Sequence, residues 1–176
     1  MRIQSASTIT HPIDVVYDTY RNKLSETAAY MPDIREIVCE SREEREGGAT
    51  IHNVWISSAE MPRGINKIVR PEHLRWDDYA EWNDVERTVD WRIQARVFAE
   101  AVTCGGTNRF IAKGDGATEL VLDGDLQIDL DKVRGIPSML GRRIKPRIES
   151  FIIGLVTPNL VKVNACLQQY LDENAS

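Results

Sequence analysis

Apolar and acidic side chains alternate most clearly over residues 117–130. Leu120, Leu122 and Leu126 occupy one set of alternating positions, and acidic residues such as Asp123 and Asp125 occupy the other. Because successive side chains of a β-strand point to opposite faces, this strand is predicted to have one apolar and one acidic face. Such one-sided burial is typical of an antiparallel sheet that covers a core on one side.

Weaker alternation predicts six further strands, over residues 2–10, 34–44, 48–58, 73–82, 87–97 and 101–113. Gly47-Gly48, Asn83-Asp84 and Gly114–Gly116 separate neighbouring strands. Glycine and asparagine adopt tight turns readily, so these positions indicate hairpins and favour antiparallel pairing. Gly105-Gly106 lies inside a strand pattern, where glycine indicates a bulge or bend.

Helical periodicity occurs near both ends of the chain. Apolar residues repeat every three to four positions after Pro12, which predicts a helix, and a short second helix is expected over 24–30. Residues 145–172 carry an apolar stripe that as a helix is roughly 42 Å long. Pro146 fits the first turn, whereas Pro158, helped by Gly154, is expected to kink or split the helix near 154–158.

Composition sets limits on function. The chain has 176 residues, 42% of them hydrophobic, and a net charge of −5. This length predicts a single domain over 1–176, and the acidic balance disfavours nucleic acid as a partner. No uninterrupted apolar run approaches the ~20 residues of a membrane span, and the N-terminus does not resemble a signal peptide, so a cytoplasmic location is expected. The sequence makes no prediction about oligomeric state.

Metal, cofactor and nucleophile motifs are missing from the sequence. His11, His52 and His73 are isolated, and the three cysteines form no C-x-x-C pair. The sequence contains neither a nucleophile elbow nor an H-E-x-x-H motif. We therefore expect no cofactor, metal or disulfide framework, and no catalytic residue can be assigned.

Aromatic and polar residues on the inward strand faces are the best site candidates. Trp76, Trp82 and Trp91 are predicted to face inward, where they either line a cavity or pack in an ordinary core. Asp78 and Asn108 share inward faces and are predicted to orient a ligand or act as acid or base. The alternatives are a strand-end bulge that turns Asp78 to solvent and a backbone hydrogen bond for Asn108.

Two surface segments carry weaker signals. The basic segment, residues 132–147, contains no acidic residue, and its cations are Lys132, Arg134, Arg142, Arg143, Lys145 and Arg147. It predicts either contact with an anionic head group or membrane surface, or a solvated segment that pairs with the acidic face of the strand at 117–130. The stretch 58–66 contains Pro62 and Gly64 and is a candidate lid.

The order of one strand, two short helices, six strands and a long C-terminal helix resembles the START-like (SRPBCC) superfamily, whose helix-grip fold is that of the major birch-pollen allergen. The resemblance is carried by His11-Pro12-Ile13-Asp14-Val15-Val16-Tyr17, Met31-Pro32, Gly48 leading to Trp55, Leu74-Arg75-Trp76, Gly116-Ala117-Thr118-Glu119-Leu120 and the terminal helix. It implies an α+β helix-grip domain, in which a seven-stranded antiparallel sheet wraps around the long helix. It also implies an elongated cavity between sheet and helix.

The expected function follows from that cavity. The first hypothesis is binding or transport of a small hydrophobic or amphipathic molecule that is lipid-, isoprenoid- or polyketide-like. The alternatives are an enzyme of the polyketide cyclase or aromatase kind, and an interaction module regulated by a ligand or partner. The expected ligand-binding residues are Trp55, Trp76, Asp78, Trp91, Ile93, Asn108, Phe110, Leu120, Leu122, Phe151 and Leu155.

Overall fold

The computed structural model describes residues 1–31, 33–60, 74–132 and 138–174, with the backbone alone described for 138–144. Within these residues, seven strands form one antiparallel sheet in the order β1-β7-β6-β5-β4-β3-β2. The strands are β1 (Arg2–Ile9), β2 (Ile34–Arg45), β3 (Gly48–Ser57), β4 (Arg75–Asn83), β5 (Thr88–Ala95), β6 (Val102–Ala112) and β7 (Thr118–Ile128). The predicted α+β helix-grip fold is confirmed, with strand ends displaced by only one or two residues.

Helices connect the sheet edges and cover one of its faces. Helix α1 (Ile13–Asn22) and the short α2 (Leu24–Thr27), followed by a 3-10 turn at Ala28–Tyr30, lead from β1 to β2 at the opposite edge. Pro12 precedes α1, where its fixed φ suits the start of a helix, and its carbonyl accepts a hydrogen bond from the Val16 N–H. The long helix α3 (Ser138–Asn174) packs against the sheet.

Helix α3 differs from its prediction in two respects. It begins at Ser138, seven residues before the expected start at 145, so Pro146 lies inside the helix rather than in its first turn. The residues before Ile144 contain Gly141 and two arginines, which interrupt the apolar periodicity on which the prediction rested. The helix also continues through Pro158 without the split that was one expected outcome. A proline removes one backbone donor, and the packing of α3 against the sheet offsets that loss.

The predicted hairpins are confirmed. Gly47 has a φ of +76°, and a Cβ on Gly48 would lie 2.0 Å from the carbonyl oxygen of Trp82, so both turn positions require glycine. In the β4–β5 turn, the Asn83 side-chain oxygen accepts hydrogen bonds from the backbone N–H groups of Val85 and Glu86. This local bonding explains why asparagine marks the turn.

Gly106 and Gly124 make room for the indole of Trp91. They are directly paired across β6 and β7, and the pairing of β6 with β5 and β7 continues through Gly105-Gly106 without a shift, so of the two expected alternatives, a bulge or a bend, the bulge is wrong. A Cβ on either Gly106 or Gly124 would come within 2.8 Å of the Trp91 ring. The paired glycines therefore let the Trp91 indole lie close against the sheet.

The buried apolar side chains of the described residues form two clusters along α3. One contains Tyr17, whose ring packs edge-on against Trp82 and Phe110 at centroid distances of 5.2 and 5.1 Å. The other lies under the preceding part of α3, around Ile148 and Val163. Within the described stretch Lys145–Asn174, an 18-residue window has a mean hydropathy of 1.4, so the helix is long and apolar enough to cross a membrane by length and composition. In the fold, 39% of that window is buried.

The glycine contacts with Trp91 generate a stability prediction. We expect Gly124→Ala to lower the free energy of unfolding by about 1–3 kcal/mol, because the new methyl group forces the indole or the strand to move. Urea unfolding followed by circular dichroism measures this effect. Gly116→Ala is the matched control, since a Cβ there meets no atom within 4 Å. Equal stability of both variants would show that the indole does not depend on these glycines.

Candidate functional site

A cavity lies between the inward face of the sheet and helix α3. It encloses about 600 Å³ of space between atoms, including the part that opens to solvent. Its sheet side is lined by β3, β4, β5 and β6 residues, and its helical side by residues of α1, α2 and α3. The described lining residues are Tyr20, Leu24, Asn53, Trp55, Trp76, Asp78, Ala80, Trp82, Val89, Trp91, Ile93, Asn108, Val156, Asn159, Leu160 and Val163.

A second, almost wholly apolar chamber adjoins the first and encloses about 540 Å³, again counting the part that opens to solvent. The two chambers share Trp76, Ile93 and Val156. The second chamber extends toward the β5–β6 connection, where Phe98 adopts a φ of +60° and lines the wall. The two chambers lie side by side beneath the sheet, with these three shared residues in the wall of each.

Asp78 brings a carboxyl group into the first chamber. Alternation along β4 turns it inward, and it is only 9% exposed. The Trp55 indole Nε1–H donates a hydrogen bond to Asp78 Oδ2 at 3.2 Å, and the Asn53 side chain also hydrogen-bonds to the carboxyl group. Removal from water raises the pKa of Asp78 from 3.8 to about 6, and the two hydrogen bonds only partly oppose this rise. The carboxyl group can therefore change its protonation state near neutral pH.

Asn108 belongs to a directed chain of hydrogen bonds in the same chamber. The Trp91 Nε1–H donates to Asn108 Oδ1 at 2.9 Å, and Asn108 Nδ2 donates to the Tyr20 hydroxyl at 3.1 Å. An indole can only donate, so Trp91 determines which way the Asn108 amide faces. Burial and the nearby charge of Asp78 raise the pKa of Tyr20, which keeps its hydroxyl protonated.

Trp82 and Asn159 carry buried polar atoms without partners. Within the described part of the chain, four such side-chain atoms occur, and two of them belong to residues that line the first chamber. They are Trp82 Nε1, a donor, and Asn159 Oδ1, an acceptor. The Asn159 Nδ2 is already used, since it donates to the Leu155 carbonyl at 2.7 Å.

Most of the expected ligand-binding residues line one of the chambers. Trp55, Trp76, Asp78, Trp91, Ile93 and Asn108 line the first, and Trp76, Ile93, Phe151 and Leu155 line the second. Phe110, Leu120 and Leu122 share the inward face but lie in the packed core instead. For Phe110 and Leu120 the reason is position along the strand, because they pack with Tyr17 at the end that α1 covers.

Sequence reasoning missed several lining residues, among them Asn53, Tyr20 and Asn159. Asn53 alternates with Ile51 and Trp55 on β3, so the strand pattern carried a usable signal. Tyr20 belonged to the apolar stripe of α1 and was indistinguishable from a core residue. Nothing in the sequence distinguished Asn159 from other polar residues of a long helix.

The basic segment is partly neutralised by neighbouring aspartates. Lys145 pairs with Asp131, and Lys132 pairs with Asp129 at 3.5 Å. Arg147 is exposed. Arg134 and the side chains of Arg142 and Arg143 lie outside the described residues, as do residues 61–66 of the candidate lid.

Asp77, the neighbour of Asp78, lies in an opposite environment on the outer face of the sheet. Arg96 donates two hydrogen bonds of 2.9 Å to its carboxylate, and His52 Nε2 lies 2.8 Å from Asp77 Oδ1. The Arg96 guanidinium, followed by His52, holds the pKa of Asp77 below its ordinary value. Adjacent residues of β4 thus have pKa shifts of opposite sign.

These opposite shifts predict opposite effects on stability. Because the pKa of Asp78 is raised in the fold, its stabilising contribution is present below pH 3.8 and is lost as the pH rises through about 6, a difference of about 3 kcal/mol. We expect Asp78→Asn to remove this loss and to match or exceed the wild-type stability at pH 7. Urea unfolding between pH 4 and 7 measures the difference between the two proteins.

Asp77→Asn is the matched control. Its lowered pKa means that the paired carboxylate stabilises the fold at neutral pH and ceases to do so on acidification, so this variant should be less stable than wild type at pH 7. A constant stability difference between wild type and Asp78→Asn from pH 4 to 7 would contradict the assigned burial of Asp78.

Solved structures share this architecture. No protein-family model matches the sequence, and no curated protein matches it. The protein TTHA0849 from Thermus thermophilus aligns with a TM-score of 0.69 and 16% identity over 100% of both chains. The Zhui aromatase/cyclase from Streptomyces sp. R1128 aligns with a TM-score of 0.66 and 15% identity, covering 100% of this chain and 96% of its own. Norcoclaurine synthase from Thalictrum flavum, in complex with dopamine and hydroxybenzaldehyde, aligns with a TM-score of 0.56 and 11% identity, covering 100% and 88%. The chain therefore has the helix-grip fold that these structures share.

Proposed function

We propose that the chain acts as a single domain that binds a small hydrophobic or amphipathic molecule in the space between the sheet and α3. The observation that carries this proposal is the pair of adjoining chambers, whose walls are mainly apolar and aromatic. Trp55 and Trp76 stack with a centroid distance of 5.9 Å and present flat apolar surface to the first chamber. Such walls suit a flat or elongated apolar ligand.

Apolar burial is the main source of binding free energy that such walls offer. It stabilises a complex by about 25 cal/mol per Å² before association costs. The few polar groups in the first chamber then select among apolar molecules.

The proposal includes a cytoplasmic location, which the three free thiols Cys39, Cys104 and Cys166 support. The aspartate pairs of Lys132 and Lys145 give the membrane-contact hypothesis less support.

Ala80 provides a direct test of the cavity. It lines the first chamber and is buried, so Ala80→Leu fills part of the space. We expect this variant to weaken binding of the neutral fluorescent probe N-phenyl-1-naphthylamine at least tenfold. Fluorescence titration measures the dissociation constant, and circular dichroism checks the fold. Ala112→Leu, at an exposed position of β6, is the control and should bind the probe as wild type does.

Native mass spectrometry of the purified protein complements the titration. A reproducible co-purifying apolar molecule would support the proposal and identify the ligand chemistry. A wild-type protein that carries no such molecule and does not bind the naphthylamine probe would contradict it.

Asp78 favours a second candidate function, an enzyme of the cyclase or aromatase kind. An enzyme of this kind needs a titratable group that faces the ligand space, and Asp78 lines the chamber with a pKa of about 6. The structural likeness to an aromatase/cyclase and to norcoclaurine synthase is compatible with this role. In that case Asp78 removes a proton from an activated carbon of a bound ketone and returns it elsewhere.

A proton-exchange assay distinguishes an enzyme from a carrier. If Asp78 is a general base, the wild-type protein should accelerate deuterium exchange at the α-carbon of 2-tetralone, and Asp78→Asn should lower that acceleration about a hundredfold or more. Proton NMR in D₂O follows the exchange. Asp77→Asn removes a carboxylate from the outer face and should retain the wild-type rate. Equal rates for all three proteins would exclude a general base at Asp78 and leave the carrier function.

A further inference from the structure

The first chamber has a polar requirement that its own residues do not meet. Trp82 is 2% exposed and Asn159 is 3% exposed, yet no described residue accepts from Trp82 Nε1 or donates to Asn159 Oδ1. Buried polar groups in native proteins nearly always have partners, because an unpaired one has lost its hydrogen bonds to water without replacement. Since both residues line the cavity, a molecule lodged there is the natural source of the missing partners.

Tyr20 adds a third group to this requirement. Its oxygen accepts the hydrogen bond from Asn108 Nδ2, and that direction is imposed by Trp91, which occupies Asn108 Oδ1. No described residue accepts the Tyr20 hydroxyl proton. Besides the Asp78 carboxyl group, the chamber therefore offers two donors, on Tyr20 and Trp82, and one acceptor, on Asn159.

The charges around the chamber limit what can bind. None of its described lining residues is cationic, and Asp78 is the acidic one among them. An anionic group placed here would meet no counter-charge from the described lining residues and would lie close to a carboxylate, which is costly in an apolar environment. Neutral hydroxyl and carbonyl groups match the available donors and acceptor without this cost.

We propose that Trp82 and Asn159 are ligand-recognition residues, which bind an uncharged, mainly apolar molecule through one hydrogen-bond acceptor and one hydrogen-bond donor. A hydroxyl group satisfies either residue, since it both accepts and donates. Tyr20 provides the second donor to the same molecule. This inference rests on the proposed binding function and specifies the polar chemistry of the ligand for that site.

Three naphthalenes of matched shape test the inference. 2,6-Dihydroxynaphthalene supplies two hydroxyl groups, 2,6-dimethylnaphthalene replaces them with methyl groups, and naphthalene-2,6-dicarboxylate replaces them with charges. Competition against N-phenyl-1-naphthylamine gives the dissociation constant of each compound. We expect the diol and the dimethyl compound to bind wild type and the dicarboxylate to bind at least tenfold more weakly than the diol.

Variants that remove one polar atom supply the decisive comparison. Trp82→Phe keeps an aromatic ring without the N–H, and Asn159→Leu keeps a similar volume without the acceptor. Each should weaken the diol about five- to tenfold relative to the dimethyl compound, the loss expected for one hydrogen bond. Tyr20→Phe should also weaken the diol relative to the dimethyl compound. Ile93→Val, at an apolar lining position, should change both dissociation constants alike.

The ratio of the dissociation constants of the diol and the dimethyl compound distinguishes the possible reasons for a negative result. It cancels any general loosening of the chamber, since packing changes affect both compounds. A ratio within twofold of wild type in both Trp82→Phe and Asn159→Leu would overturn the inference while leaving apolar ligand binding intact. Wild-type protein that binds none of the naphthalenes and no naphthylamine probe would overturn the proposed binding function and this inference with it.

Discussion

The polar part of the cavity is arranged around a single constraint, that an indole N–H can only donate a hydrogen bond. Trp55 donates to Asp78, and Trp91 donates to Asn108. The second bond orients the Asn108 amide, which in turn makes the Tyr20 oxygen an acceptor. The Trp91 ring fits against the sheet because Gly106 on β6 and Gly124 on β7 have no side chain beneath it. The chemistry of the cavity thus depends on a steric feature of the sheet behind it.

Local patterns were sufficient to predict the sheet. The regular alternation of β7 and the turn residues at Gly47 and Asn83 depend on neighbours in the chain, so the strand faces and hairpins followed from the sequence. Asp78 was placed inward for the same reason, because β4 runs regularly from Trp76 to Trp82.

Depth within the fold could not be predicted in this way. Phe110 and Asn108 lie on one face of β6, yet one packs beneath α1 and the other faces the cavity. The difference depends on where the helices cross the sheet, which is a long-range property. Asn159 shows the same limitation, since only the placement of α3 determines which of its polar residues faces the chamber. Strand patterns therefore identified a face, and the helices determined which part of that face remained open.

The neighbouring carboxylates of β4 also bear on how reliably the sheet assembles. A shift of one residue in the pairing of β4 would carry Asp77 into the apolar interior without Arg96 and would turn Trp76 and Trp82 outward. It would also bring Asp78 to the outer face, away from the Trp55 indole that donates a hydrogen bond to it. Each of these exchanges costs free energy, and all occur together. The two adjacent aspartates, which look interchangeable in the sequence, therefore discriminate strongly against misregistered pairing while the sheet forms.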